Sequence, residues 1–141
     1  MYSVTKTIPF EAGHRLMSHK GKCHNLHGHN YVAEITITRN ELDKNGMVID
    51  FFDVKTFTNE FLKQWDHTMI LNSSDADNIA HCKKHQYKLY TIDAEPTAEN
   101  MAKIIYDYIN RKIDKSILTK VSVTIYETPD CKATFTDENI S

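Results

Sequence analysis

The sequence is poor in the residues that punctuate or staple a chain: of 141 residues only 4 are glycine, 3 proline and 3 cysteine. So few chain breakers exclude a collagen-like repeat or a Gly/Ser-rich linker, and no internal repeat or low-complexity segment interrupts the sequence. The cysteines, Cys23, Cys82 and Cys131, are odd in number and irregularly spaced, which argues against a disulfide framework and for a reducing compartment. No apolar run reaches the length of a membrane span. The N-terminal MYSVTKTIPF has none of the charged, apolar and small-residue sections of a signal peptide, so a cytoplasmic location is expected. Charge of neither sign dominates, with 17 Lys and Arg against 19 Asp and Glu and a net charge of -2. There is then no basic footprint for nucleic acid and no basic run for a membrane surface, and neither partner is expected.

With 40% hydrophobic residues the chain has enough apolar mass for one core, and its length suits a single domain, 1–141. What it has in local excess is histidine: His14, His19, His24, His27 and His29 crowd into sixteen positions, beside Gly13, Gly21 and Gly28.

Periodicity gives the elements. Tyr2, Val4, Ile8 and Phe10 recur at even positions, a half-buried strand, with Pro9 predicting an edge or a bulge near its end. Tyr31 to Arg39 alternates again, with Tyr31, Ala33, Ile35 and Ile37 on one face. Asn45-Gly46 is a turn, and Met47 to Phe51 reads as a short apolar extension. From Asp53, a candidate N-cap, Val54, Phe57, Phe61, Leu62 and Trp65 trace a helical face, predicting a helix over Val54 to Trp65. A helical turn around Ile79 to His85 and a short strand from Tyr87 to Ile92 follow. Pro96-Thr97 opens a second clear helix, with Met101, Ile104, Ile105, Tyr108 and Ile109 in one stripe. Lys120 to Glu127 is a strand with Val121, Val123 and Ile125 on one face, and a weaker strand covers Lys132 to Thr136. This order predicts an α+β fold, with two helices packed on one face of a mainly antiparallel sheet. Open sheet edges on a small domain favour pairing with further copies.

Candidate chemistry concentrates at His27-Gly28-His29, which leads into the second strand. Residues two apart in an extended chain project to the same side, so both imidazoles can reach one metal ion; on a helix they would diverge. His14 supplies a third ligand if the first two strands pair as a hairpin. Three imidazoles with one open position is the donor set of a catalytic zinc, although polar loop histidines would show the same spacing. Cys23, four residues before His27, is either a fourth ligand that closes a structural site or a free thiol that acts as base or nucleophile. Cys82 and Cys131 read as inert thiols. Asp66-His67 follows the first helix, where an acid can orient a histidine for proton transfer. Glu127 ends an apolar row, either as a strand end emerging into water or as an anchor for a ligand with paired N–H donors.

Six segments, FEAGHRL (Phe10 to Leu16), CHNLHGHNY (Cys23 to Tyr31), GMVIDF (Gly46 to Phe51), WDHTMILN (Trp65 to Asn72), PTAEN (Pro96 to Asn100) and VTIYET (Val123 to Thr128), resemble in their order the 6-pyruvoyl-tetrahydropterin synthase family. The family includes the queuosine-pathway 6-carboxytetrahydropterin synthases. The resemblance implies that His14, His27 and His29 hold a catalytic Zn²⁺, that Cys23 accepts a proton, and that Asp66 and His67 complete the catalytic group. It also implies that Glu127 anchors the pterin, with Thr97 and Glu99 near the pterin pocket. The substrate implied is 7,8-dihydroneopterin triphosphate. Three residues between Cys23 and His-Gly-His resemble the queuosine branch, whose product is 6-carboxy-5,6,7,8-tetrahydropterin with acetaldehyde and triphosphate released, more than the animal pyruvoyl synthases, whose spacing is longer. Two features depart from that branch: a long segment from Asn72 to Glu95, and the extra imidazole of His24. Arg15, Lys20 and Lys22 are candidates to attract the triphosphate, or solvated surface charges. The implied fold is the tunnelling fold (T-fold), an oligomeric barrel in which trimers stack into a homohexamer with active sites between subunits. A non-catalytic module closed around a structural zinc remains the rival reading.

Overall fold

The computed structural model describes residues 1–114, 116 and 120–137. Two thirteen-residue strands dominate, β1 (Tyr2–His14) and β2 (His27–Arg39), paired antiparallel in one unbroken register from Tyr2 opposite Arg39 to His14 opposite His27. The first strand runs past Pro9 and ends at His14, as the third-ligand reading requires. Pro9 fits inside it because the Glu11 N–H turns away from β2 to the Asp66 carboxylate. Two residues earlier, the Pro9 nitrogen points to the same side, where β3 (Thr68–Asn72) pairs only from Ala12 to His14. No ladder bond is lost.

The six strands are ordered β4-β3-β1-β2-β5-β6, with β4 Leu89–Ile92, β5 Lys120–Thr128 and β6 Cys131–Thr136. The pairs β1/β2, β2/β5 and β5/β6 are antiparallel, whereas β1/β3 and β3/β4 are parallel. The sheet is therefore mixed rather than mainly antiparallel. The sequence reading missed β3, since Thr68-Met69-Ile70-Leu71 is too short and too uniformly apolar to show alternation, as is usual for parallel strands buried on both faces.

Helix α1 spans Phe51–Leu62 and is capped by Asp50, whose carboxylate accepts the Phe52 N–H at 2.8 Å. The start is thus three residues before the predicted one, and Asp53 is a first-turn acid rather than the cap. The expected apolar extension, Met47 to Phe51, is a turn leading into this cap: the Asp43 carboxylate takes the N–H groups of Asn45 and Met47 around Gly46, whose φ of +77° suits glycine. Helix α2 (Ala76–Lys84) is a third helix where only a turn was expected, and α3 spans Ala98–Lys112.

The core forms where α1 and α3 lie on one sheet face. Val54, Phe61, Leu62, Met101, Ile105 and Ile109 meet Ile35, Ile37, Val123 and Ile125, all buried. Each such side chain contributes about 2 kcal/mol relative to exposure. Helix α2 packs on β3 and β4 instead. Ile70 belongs to the main core, so alternation turns Met69 to the other face, where Met69 and Cys82 of α2 line one cleft. Two helices share one face, as expected, but the third covers part of the opposite one.

Candidate metal centre and active site

The β1/β2 register sets His14 directly opposite His27, with His29 two residues further along the same face. One nitrogen from each ring lies within 4.8 Å of the others. His14 is 1% exposed, and its Nδ1 donates to the Pro96 carbonyl at 2.7 Å; His27 Nδ1 donates to the Asn25 carbonyl at 2.7 Å. A carbonyl only accepts, so both rings carry their proton on Nδ1 and direct an Nε2 lone pair inward. These two nitrogens stand 3.0 Å apart, an arrangement of facing lone pairs that a shared cation would stabilise. His29 Nε2 is buried with no hydrogen-bond partner. Two inward lone pairs and an orphaned third nitrogen fit a tetrahedral metal site, where ligand nitrogens about 2.0–2.1 Å from the ion stand roughly 3.3 Å from one another. The carbonyls on Nδ1 fix tautomer and ring orientation, as partners of metal-ligating histidines do.

Burial, as the main cause, pushes the proton affinities of His14 and His29 below the ordinary 6.5; His27 adds to this, while the Pro96 carbonyl on His14 and nearby Glu127 on both oppose it. The neutral form that binds metal is therefore favoured near neutrality. In the metal-free protein the unfolded chain protonates these residues as pH falls through 6.5, before the folded chain does. Stability should be full above that pH and decline below it until the folded values are passed. Denaturant midpoints of chelator-treated protein measured down to about pH 5.5 test this; a flat profile across that window would show that burial does not depress these groups.

Cys23 sits in a 3₁₀ turn, Lys22–His24, half-buried, and the group that closes to 4.8 Å contains the histidines and not this thiol. His24 turns away, its Nδ1 donating to the Met17 carbonyl at 3.2 Å. Glu127 and Cys23 both lie near enough to act on Tyr31, whose buried hydroxyl is held protonated chiefly by burial and has no partner. Tyr31 also stacks edge-on to His14 and His29, at 5.9 and 5.3 Å between ring centres. Glu127, half-buried at the irregular end of β5, is near enough for its charge to act on His14 and His29 as well.

Asp66 and His67 lie elsewhere on the same sheet. Asp66 Oδ1 accepts the Glu11 N–H at 2.9 Å, the main reason its carboxyl is held below the usual range, and Oδ2 is 3.1 Å from His67 Nδ1. His67 Nε2 is 3.4 Å from Glu11 Oε2. Glu11 projects from the face opposite Phe10, Ala12 and His14, so within one chain the Asp66–His67 pair and the trio belong to different faces. A cleft of about 860 Å³ bordered by His27, His29, His67, Met69 and Lys88 runs along this edge. Gly13 lies opposite Gly28 on its floor, and a Cβ on Gly28 would stand 3.1 Å from the Ala12 carbonyl oxygen.

Thr97 caps α3, accepting the Asn100 N–H at 3.2 Å, and Glu99 is an exposed first-turn acid. Their segment serves the site chiefly through the Pro96 carbonyl, 82 residues from His14 in sequence, a role no spacing could reveal. Arg15 is engaged with buried Asp75 at 2.7 Å, so it is a structural partner rather than a free cation.

The family described as 6-pyruvoyl tetrahydropterin synthase matches residues 3–138. The chain belongs to this family. A 6-carboxy-5,6,7,8-tetrahydropterin synthase of Rickettsia conorii is 40% identical over 136 residues, covering 93% of this chain and 97% of the relative. The enzyme of that name from Aquifex aeolicus is 30% identical, covering 97% and 99%. Among solved structures, an uncharacterized protein of Wolinella succinogenes superposes with TM-score 0.84 at 22% identity, covering 97% of this chain and 98% of the other. The 6-pyruvoyltetrahydropterin synthase of Plasmodium vivax superposes with TM-score 0.75 at 23% identity, covering 97% and 99%. The fold is thus the α+β T-fold. Among the described residues no helix is long and apolar enough to cross a membrane.

Proposed function

We infer that this chain is a cytoplasmic, zinc-dependent lyase converting 7,8-dihydroneopterin triphosphate to 6-carboxy-5,6,7,8-tetrahydropterin, with release of acetaldehyde and triphosphate, in the queuosine pathway. The observation that carries the reading is the trio of inward-facing imidazoles, His14, His27 and His29, from which Cys23 stands apart. A site with three protein ligands keeps a position for substrate, whereas a structural site fills all four. The relatives' shared name supports this product.

Bound zinc would act as a Lewis acid on the oxygens of the substrate side chain. The remaining roles fall to the chain itself. Glu127 accepts the paired N–H groups of the pterin and fixes the ring. Cys23, as thiolate, removes a carbon-bound proton of the side chain, and His67 exchanges hydroxyl protons while Asp66 holds its ring. Reducing equivalents pass from side chain to ring and one water is consumed as the side chain is cleaved, so no redox cofactor is needed. Thr97, the α3 cap, and Glu99, in the first turn of α3, are further candidates to act near the pterin.

The separation of Asp66–His67 from the trio supports one further element of the reading: single 1–141 domains assemble, as a hexamer of two trimers, with each site completed by a second copy.

Incubation of zinc-loaded protein with 7,8-dihydroneopterin triphosphate, read by mass spectrometry with a separate acetaldehyde assay, tests the reaction. Carboxytetrahydropterin with acetaldehyde in equal amounts is expected. Pyruvoyl-tetrahydropterin without acetaldehyde would replace this product by that of the other synthase, and no conversion at full zinc occupancy would sink the catalytic reading.

A further inference from the structure

The Asp66–His67 turn is unusual in its backbone. His67 has φ +54°, a left-handed conformation that a residue with a Cβ adopts at a cost of order 1–2 kcal/mol. It is one of two such non-glycine residues among those described. A conformation of this kind persists only where surrounding contacts over-determine it.

Beside Glu11 and the Thr68 hydroxyl, which donates to the Asp66 carbonyl at 3.1 Å, one residue of the long segment after β3 supplies contacts on both sides of it. Lys88 Nζ donates to the Lys63 carbonyl at 2.6 Å and to the Asp66 carbonyl at 2.9 Å. Lys63 is the C-cap of α1, where unpaired carbonyls and the negative end of the helix dipole favour a cation. On the far side of His67, the Lys88 carbonyl accepts the Met69 N–H at 3.0 Å. The side chain and backbone of a single residue therefore grip the turn on both sides of His67. The Glu11 carbonyl and N–H complete the hold, through the His67 N–H and the Asp66 carboxylate.

A surface lysine is ordinarily a solvated charge that orders nothing. Lys88 differs because its partners are two backbone carbonyls that converge from the helix end and from the turn, and because the ladder between β3 and β4 fixes its own backbone from Met69 opposite Leu89 onward. Its ammonium also adds to the forces that keep the Asp66 carboxyl ionised.

We propose that Lys88 is a positioning residue, which holds the left-handed His67 turn so that the imidazole and the Asp66 carboxylate keep a fixed geometry at the cleft. The inference rests on the catalytic reading of Asp66 and His67. It also accounts for the segment between Asn72 and Glu95, since α2 and β4 carry this brace to the site.

The test compares Lys88→Met, which keeps the stem and removes the donors, with Lys88→Arg, which restores donors to both carbonyls. Small misplacements of a catalytic group cost up to about 100-fold, so K88M should lower kcat by roughly 10- to 100-fold. KM should stay within about two-fold, because the groups assigned to bind the pterin are elsewhere. K88R should recover most of the loss. Amide hydrogen exchange across residues 66–69 should quicken in K88M and return toward normal in K88R, with zinc content unchanged in both. Wild-type kcat in K88M, or a lowered kcat with unaltered exchange in the turn, would overturn the proposal. If K88M fails to fold, Lys88→Gln replaces it under the same criteria. His67→Ala serves as the separate control: full turnover there would refute the catalytic role of the turn, and the brace would then be judged on exchange alone.

Discussion

Replacing Cys23 by Ala should abolish turnover while leaving zinc and fold in place. The thiol lies outside the group of ligand nitrogens, so its loss removes no donor from the metal. It sits half-buried in a short 3₁₀ turn, where a smaller side chain leaves no core cavity. Loss of a general base costs about 10²- to 10⁴-fold in rate. The expected outcome is that loss in kcat, with zinc content by atomic absorption and the thermal midpoint unchanged. A structural site would respond in the opposite way, since binding energy at such a site is folding energy. Zinc loss and an earlier melt in C23A would therefore overturn the lyase reading in favour of the non-catalytic module.

Mixing two inactive variants should restore activity. The trio faces the helices from the β1/β2 hairpin, whereas Asp66 and His67 engage Glu11 on the opposite face. If each site draws Cys23 from one copy and His67 from another, a hexamer reassembled from equal amounts of C23A and H67A contains intact pairs. Random mixing makes roughly one quarter of the sites intact. Recovery of about a quarter of wild-type turnover after co-refolding is expected, against a background near zero for either variant alone. No recovery, in mixtures shown by native mass spectrometry to have exchanged subunits, would place both groups within one chain.

How much of this was legible beforehand varies by element. Alternation fixed β2 and β5, and the stripe from Met101 to Ile109 fixed α3, because each buries a single face and the burial writes the period into the residues. Strand β3 left no such trace, since burial on both faces removes alternation. The cap of α1 was misplaced because Asp50 and Asp53 carry the same side chain, and only the accepted Phe52 N–H separates them. Helix α2 reads weakly because its nine residues bury only Cys82.

The site divides along the same line. Sequence alone determined which side chains share a strand face: His27 and His29 by their spacing of two, and Cys23 as a thiol close at hand. It could not bring His14 to them without the hairpin, nor supply the Pro96 carbonyl that sets the His14 tautomer from 82 residues away. It gave no hint that Lys88 grips the Asp66–His67 turn, or that this turn borders the same cleft as His27 and His29. Local spacing is governed by the repeat of the backbone, and therefore shows in the residues. Contacts between distant segments depend on strand order and register, which the burial of a common core settles only once the whole chain has folded.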